Sequence, residues 1–324
     1  MSGSKIETIT LGTRGSELAL FQARHVAWNL QRQHVELSVK IKTIATSGDK
    51  ILDAPLAKIG DKGLFVKEIE NELISGDIDI AVHSCKDLPT EMPAGLTIAA
   101  FGRREDPRDA FISDSAVRTL DDVREGASIG TSSLRRRSQL MALRPDLNIV
   151  DIRGNVDTRI RKIKELELDG TILAAAGLRR LEREKEAAFY FTPEQLVPAV
   201  GQGVIAVESR MDDPQVRSLV VCLNDEDAAA AVTAERALMR ELEGGCQVPI
   251  GAHAIMLDGA LTLNAYLGSL DGRDFIRDRI DGPVEEAESL GVKLAQRMFV
   301  AGGERILAEV RAGEEGGVPP IGHP

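Results

Sequence analysis

The middle third of this chain alternates strand and helix, and three successive strands end in the same chemistry. Residues 127–131 read as a strand, Ser132 and Ser133 as an N-cap, and the helix that follows opens Leu134-Arg135-Arg136-Arg137. Residues 148–151 read as the next strand, Arg153-Gly154-Asn155 as a turn and 156–168 as a helix; 171–175 is a third strand, closing at Gly177-Leu178-Arg179-Arg180. Such a pattern folds into an open α/β sheet, whose ligands sit beyond the strand C-termini. Ser133, Arg135, Arg136, Arg153, Arg159 and Arg180 are therefore expected at one sheet edge. Between residues 103 and 180 arginine outnumbers lysine fourteen to two. Arginine is favoured where carboxylate or phosphate is gripped by two parallel hydrogen bonds.

That cationic block stands in an acidic protein of net charge −11, which argues against nucleic acid or an anionic membrane as partner. Aromatic residues make up 3%, with one tryptophan, Trp28, too few for a base-stacking surface. No apolar run reaches membrane-spanning length and the first residues carry no export-signal pattern, so a cytoplasmic location is expected. The three cysteines, Cys85, Cys222 and Cys246, form neither a disulfide framework nor a Cys-x-x-Cys zinc pair, and no metal site is expected. Phosphate-loop, dinucleotide and GxSxG patterns are absent.

At 324 residues the chain should form two or three domains. Residues 8–13 read as a strand, and Ser16 as the N-cap of a helix to about 33, an anion-friendly terminus with Arg14 beside it. A second strand is expected over 35–46. The stretch 47–63 reads equally as a lid or as a surface excursion. A helix over 64–74 and a buried strand over 78–82 lead to His83-Ser84-Cys85-Lys86-Asp87-Leu88-Pro89-Thr90. On extended backbone Lys86 and Asp87 face opposite ways. Asp87 either caps the turn before Pro89 or supplies a fixed anion in a cationic pocket.

After a strand at 96–101 the charged run 102–109 reads as a crossover into a second domain. Gly201-Gln202-Gly203 precedes a strand at 204–208 that should return to the first, making a clamp on two hinge strands. The expected division is 1–103 with 204–221, then 104–203, then a third α+β domain over 222–312 and a disordered tail over 313–324. In the third, a helix over 225–243 stops at Gly244-Gly245, and strands follow around Asp258-Gly259 and Asp271-Gly272. Cys246, in LEGGCQVPIG, is either a small buried apolar side chain or a thiol that carries a group covalently.

Taken together HSCKDLPT, GTSSLRRR, RGNVDTR, LAAAGLRRL, VGQG and LEGGCQVPIG, in this order and spacing, resemble the porphobilinogen deaminase (hydroxymethylbilane synthase) family from about residue 9 to 310. The resemblance implies three α/β or α+β domains, the first two like periplasmic binding proteins. It implies a monomeric transferase that joins four porphobilinogens head to tail, with loss of ammonia, on a dipyrromethane cofactor held by a thioether to Cys246. It places Lys86, Asp87, Thr131, Ser133, Arg135, Arg136, Arg153 and Gly154 on the cofactor, and Arg14, Ser16, Gln22, Arg153, Arg159, Arg180 and Gln202 on the substrate. Lys58, Lys62 and Phe65 fall on the family's lid loop. Asp87 matches its catalytic aspartate, which stabilises positive charge on the pyrrole nitrogens. Cys85 stands where relatives often have Met, and Asp157 is expected to pair with a neighbouring arginine.

Two rivals from other classes remain. A two-domain anion-binding protein uses the same clamp and arginines but needs an export signal and has no use for Cys246. A hydrolase built on Cys246 and His253 lacks an acidic partner and an oxyanion motif. The mass carried by Cys246 separates the enzyme from the binder.

Overall fold

The computed structural model describes residues 6–50, 63–242 and 248–315. Its described residues form three sheets. The first has the order β2-β1-β3-β10-β4. Strands β1 (Thr8–Thr13), β2 (Ser38–Thr43) and β3 (Ile80–Ser84) are parallel. Strand β10 (Ile205–Arg210) is inserted antiparallel between β3 and β4 (Leu96–Phe101), so the chain leaves this sheet and comes back to its middle. Helix α1 (Glu17–Gln33) starts where the Ser16 hydroxyl accepts from Ala19 N. It buries Ala23, Val26, Ala27 and Leu30 against Ile9, Leu11, Ile80 and Val82. Each large aliphatic side chain sealed there contributes about 1.5–3 kcal/mol. Helix α2 (Lys67–Ser75) covers the opposite face with Ile69 and Leu73.

The second sheet has the order β7-β6-β8-β5-β9. Strands β6 (Ser128–Gly130), β7 (Asn148–Val150) and β8 (Gly170–Ala174) are parallel. They lead into helices α3 (Leu134–Leu143), α4 (Val156–Glu165) and α5 (Ala175–Arg180), the first two capped by the side chains of Ser133 and Asn155. Strand β5 (Asp109–Ile112) runs antiparallel to β8 and to β9 (Ala187–Tyr190). Neither of these four-residue strands is evident in the sequence. The charged run read as a crossover thus ends inside the sheet, at Asp109.

The third sheet is the antiparallel meander β11 (Ile250–Leu257), β12 (Ala260–Gly268) and β13 (Phe275–Gly282). Asp258 and Gly259 both take positive φ, the two-residue turn that matches strand twist. Helices α6 (Glu226–Glu241) and α7 (Ala287–Met298) pack on one face of it, through Ala234, Leu238, Leu290 and Leu294.

Three expectations need correction. Residues 85–87 form a 3₁₀ turn rather than extended backbone, because Leu88 N bonds back to Cys85 O. The final helix runs Glu304–Glu315, so residues 313–315 are helical and not tail; 316–324 lie outside the described residues. Asp157 does pair with an arginine, but with Arg183, 26 residues on and beyond the end of α5, rather than with one near it in sequence.

Candidate active site

The parallel strands fix where the chemistry gathers. In the first sheet β3 ends at Ser84, and the 3₁₀ turn that follows presents Lys86 and Asp87. In the second, β6, β7 and β8 end beside Thr131 and Ser133, Arg153 and Gly154, and α5 with Arg180. The two edges face each other: Lys86 senses the charges of Arg135, Arg136 and Asp109, and Arg159 senses Asp87. Burial, reinforced by Arg136 and Arg135 and opposed by Asp87, pulls the Lys86 ammonium down to about 8. Burial and the Arg136 charge likewise hold Arg159 at about 10, and burial holds Arg180 at about 10. These depressions, burial first in each case, mark cations held out of water, which a ligand carboxylate would stabilise.

One pocket in the first domain brings together Arg14, Ser16, Gln22, Phe65, Ser84 and Asp87. Gln22 is buried and donates to Ser84 Oγ at 2.9 Å, tying α1 to the end of β3. The Arg14 guanidinium lies 4.2 Å from the centre of the Phe65 ring and pairs with Asp49, in the short helical turn Ser47–Lys50. Asp49 also accepts from the Thr46 hydroxyl at 2.8 Å, and these bonds, led by that to Arg14, outweigh burial and hold its carboxyl below the usual range. Lys58, Lys62 and Cys246 lie outside the described residues.

The second edge is more deeply built. Arg135 donates to Val197 O at 2.7 Å and to Asp109 Oδ2 at 2.8 Å. Arg136 donates to Ile172 O at 2.8 Å and to Asp109 Oδ1 at 2.7 Å. Both guanidiniums are buried, and Asp109 is fully so. Burial alone would raise the Asp109 carboxyl, but the two arginines drive it far below the carboxylate range. Gln202, 1% exposed, donates to Pro107 O at 2.6 Å and Asp109 Oδ1 at 3.1 Å, and its Oε1 has no partner among the described residues. The Thr131 hydroxyl accepts from Ser133 N at 3.2 Å. Arg159 Nε reaches Gly154 O at 2.9 Å, and Arg180 reaches Gly203 O at 2.6 Å. Arg153 is half-buried at the end of β7.

Sequence reasoning missed Asp49 and Asp109, each an acidic residue whose meaning depends on a distant partner. The one available signal for Asp109 was an aspartate directly preceding the apolar Ala110-Phe111-Ile112. It also left His83 unassigned. His83 Nε2 lies 3.1 Å from Glu208 Oε2, with Glu70 nearby, all three buried beneath the sheet. Among the described residues no His, Cys, Asp and Glu cluster could hold a metal ion.

Two sheets joined by paired crossovers, with Lys86 and Asp87 at one edge of the cleft and Arg136 and Arg159 at the other, define a two-domain clamp suited to a ligand rich in carboxylates. A family model described as porphobilinogen deaminase, dipyrromethane cofactor binding domain, matches residues 9–218, and its C-terminal domain model matches 229–300. The porphobilinogen deaminase of Trichlorobacter lovleyi is 51% identical over 302 residues, 93% of this chain and 96% of the relative. That of Syntrophomonas wolfei is 53% identical over 306 residues, 94% and 100% of the two chains. Among solved structures the methionine binding protein MetQ is similar at a TM-score of 0.44 and 14% identity, over 69% of this chain and 92% of that one. The chain belongs to the porphobilinogen deaminase family. Its reaction is the stepwise condensation of four porphobilinogens into hydroxymethylbilane, with release of ammonia, on a dipyrromethane cofactor. Family membership removes the binding-protein and hydrolase rivals. No helix among the described residues is long and apolar enough to cross a membrane.

Proposed function

We propose that Asp87 is the catalytic carboxylate of this reaction and that the facing arginines are its carboxylate anchors. The observation that carries this is the opposition of Lys86 and Asp87, at the end of β3, to Arg136 and Arg159 across the cleft. The donor set fits the cofactor, because a pair of pyrroles brings several carboxylates and the cleft holds surplus fixed cations. When bound, the dipyrromethane supplies the pyrrole carbon to which the first porphobilinogen is joined. Lys86, Thr131, Ser133, Arg135, Arg136, Arg153 and Gly154 would hold it, with Cys246 as its point of attachment.

Arg14, Ser16, Gln22, Arg153, Arg159, Arg180 and Gln202 form the substrate set. In the first-domain pocket Arg14, beside Phe65, would take a substrate carboxylate. Asp87 lines that pocket too, so the pyrrole nitrogen that becomes cationic as ammonia leaves can be set against it. A fixed anion in a partly dehydrated site is worth several kcal/mol to such a cation. By the family resemblance Lys58, Lys62 and Phe65 fall on the lid loop, and of these Phe65 lines this pocket. Residues 1–103 with 204–221, 104–203 and 222–312 are the corresponding domains, and the chain acts in the cytoplasm, as a monomer where the family resemblance is followed.

Intact mass of the purified protein, and of Cys246→Ser, tests the attachment. The expected result is added mass equal to two pyrroles on the wild type and none on the variant. An unmodified wild-type chain with full activity would overturn it.

A further inference from the structure

We infer that Asp109 is the positioning residue of the cofactor pocket: its buried carboxylate holds Arg135 and Arg136 in place and offsets half of their charge before any ligand carboxylate arrives. The inference rests on the assignment of those two arginines to the cofactor. Strand β5 runs antiparallel to β8 with Asp109 opposite Ala174, so its first residue lies at the same edge where the parallel strands end. From there its two oxygens divide the work, Oδ2 taking Arg135 and Oδ1 taking Arg136 through both Nε and Nη2. Among the described residues the other acceptors of these guanidinium groups are the carbonyls of Val197 and Ile172.

Two guanidiniums this buried, side by side, could not be held without an anion, since an uncompensated buried charge is strongly destabilising. One carboxylate between two arginines nevertheless leaves a charge of +1. The pocket is therefore formed in advance yet still attractive to a carboxylate. Gln202 binds the same Oδ1, which links this arrangement to the returning crossover between the domains.

The test compares Asp109→Asn with wild type in two forms: cofactor-free chain, made in a host that lacks porphobilinogen, and chain loaded with cofactor, verified by intact mass. Without cofactor the variant should melt on the order of 10 °C below wild type. Loaded, the loss should shrink to less than half, because ligand carboxylates stand in for the missing charge. Equal losses in the two forms would show that Asp109 serves the fold alone and would overturn the inference. Should the cofactor-free Asp109→Asn chain fail to fold, Asp109→Asn/Arg136→Gln, which removes one charge of each sign, should fold without cofactor; failure of both would overturn it equally. Separately, an Arg135→Ala chain that loads to full mass would remove the cofactor assignment underneath, a result that the melting comparison does not mimic.

Discussion

Among the described residues Asp87 makes no hydrogen bond, and it sits half-buried at a strand end, beside a lysine and opposite Arg159. A carboxylate kept free of local partners is available to a cation that forms and vanishes in each cycle. Asp87→Asn, which keeps the shape and removes the charge, should load cofactor normally and lose about 10²–10³-fold in kcat, read by single-turnover kinetics beside intact mass. Normal turnover would end the role given to Asp87. Lys86 offers a pH signature. Its ammonium, pulled down to about 8, should lose its charge as pH rises through that value, so cofactor loading of the cofactor-free chain, followed by intact mass, should slow there, while Lys86→Arg should not show that drop. The fold responds with the opposite sign. Between about 8 and the ordinary lysine value of 10.5 the unfolded chain holds more protons, so this group adds stability as pH rises. Lys86 and Asp87 were legible because they close an apolar strand. Asp109 was not, since an aspartate in a charged run gains meaning only when β5 pairs with β8.

Strand and helix alternation was read from apolar spacing, and a capping side chain, Ser16, Ser133 or Asn155, marks the helix start after β1, β6 and β7. Strands β5 and β9, four residues each, escaped because neither runs into an α-helix that would mark its end, as the three-residue β6 and β7 do. The antiparallel β10 adds something periodicity could not convey: its insertion beside β3 places Glu208 against His83, under helix α2 and Glu70. Burial first, and then the Glu208 charge, raises the Glu70 carboxyl to about 7, with His83 opposing. The folded chain thus holds a proton there that the unfolded chain releases near pH 4.5, so stability from this group is present at low pH and is lost as pH rises through about 7. Relative to Glu70→Gln, wild type should lose up to about 3 kcal/mol between pH 5 and 8, measured by denaturant unfolding at a series of pH values. A constant difference between the two would show that Glu70 does not titrate in this window.

The charge asymmetry of the chain, acidic overall and cationic in its middle third, foreshadowed a cleft, but not the node where its crossovers meet. That node joins both crossovers to the third domain. Arg104 Nη2 meets Glu235 on α6 at 2.7 Å and its Nη1 meets Gln202 O at 2.9 Å, while the Glu235 carboxylate also accepts from Gly201 N at 2.7 Å and Ala254 N at 2.8 Å. Next to it Gly203 has φ +90°, and a Cβ there would lie 2.3 Å from Glu105 O on the neighbouring crossover. Its carbonyl accepts from Glu105 N and from Arg180. Gly203→Ala must therefore both strain its backbone and push the crossovers apart, at about 2–4 kcal/mol. Gly95 provides the control, with φ +88° and nothing within 4 Å of the added carbon, so Gly95→Ala should cost only the backbone strain of about 1–2 kcal/mol. If the spacing of the crossovers sets the relation between Asp87 and the facing arginines, Gly203→Ala should change kcat and KM together while Gly95→Ala leaves both alone. Matching kinetics in the two variants, with Gly203→Ala melting lower, would mean that the crossovers hold the domains together without setting the geometry in which the substrate is joined.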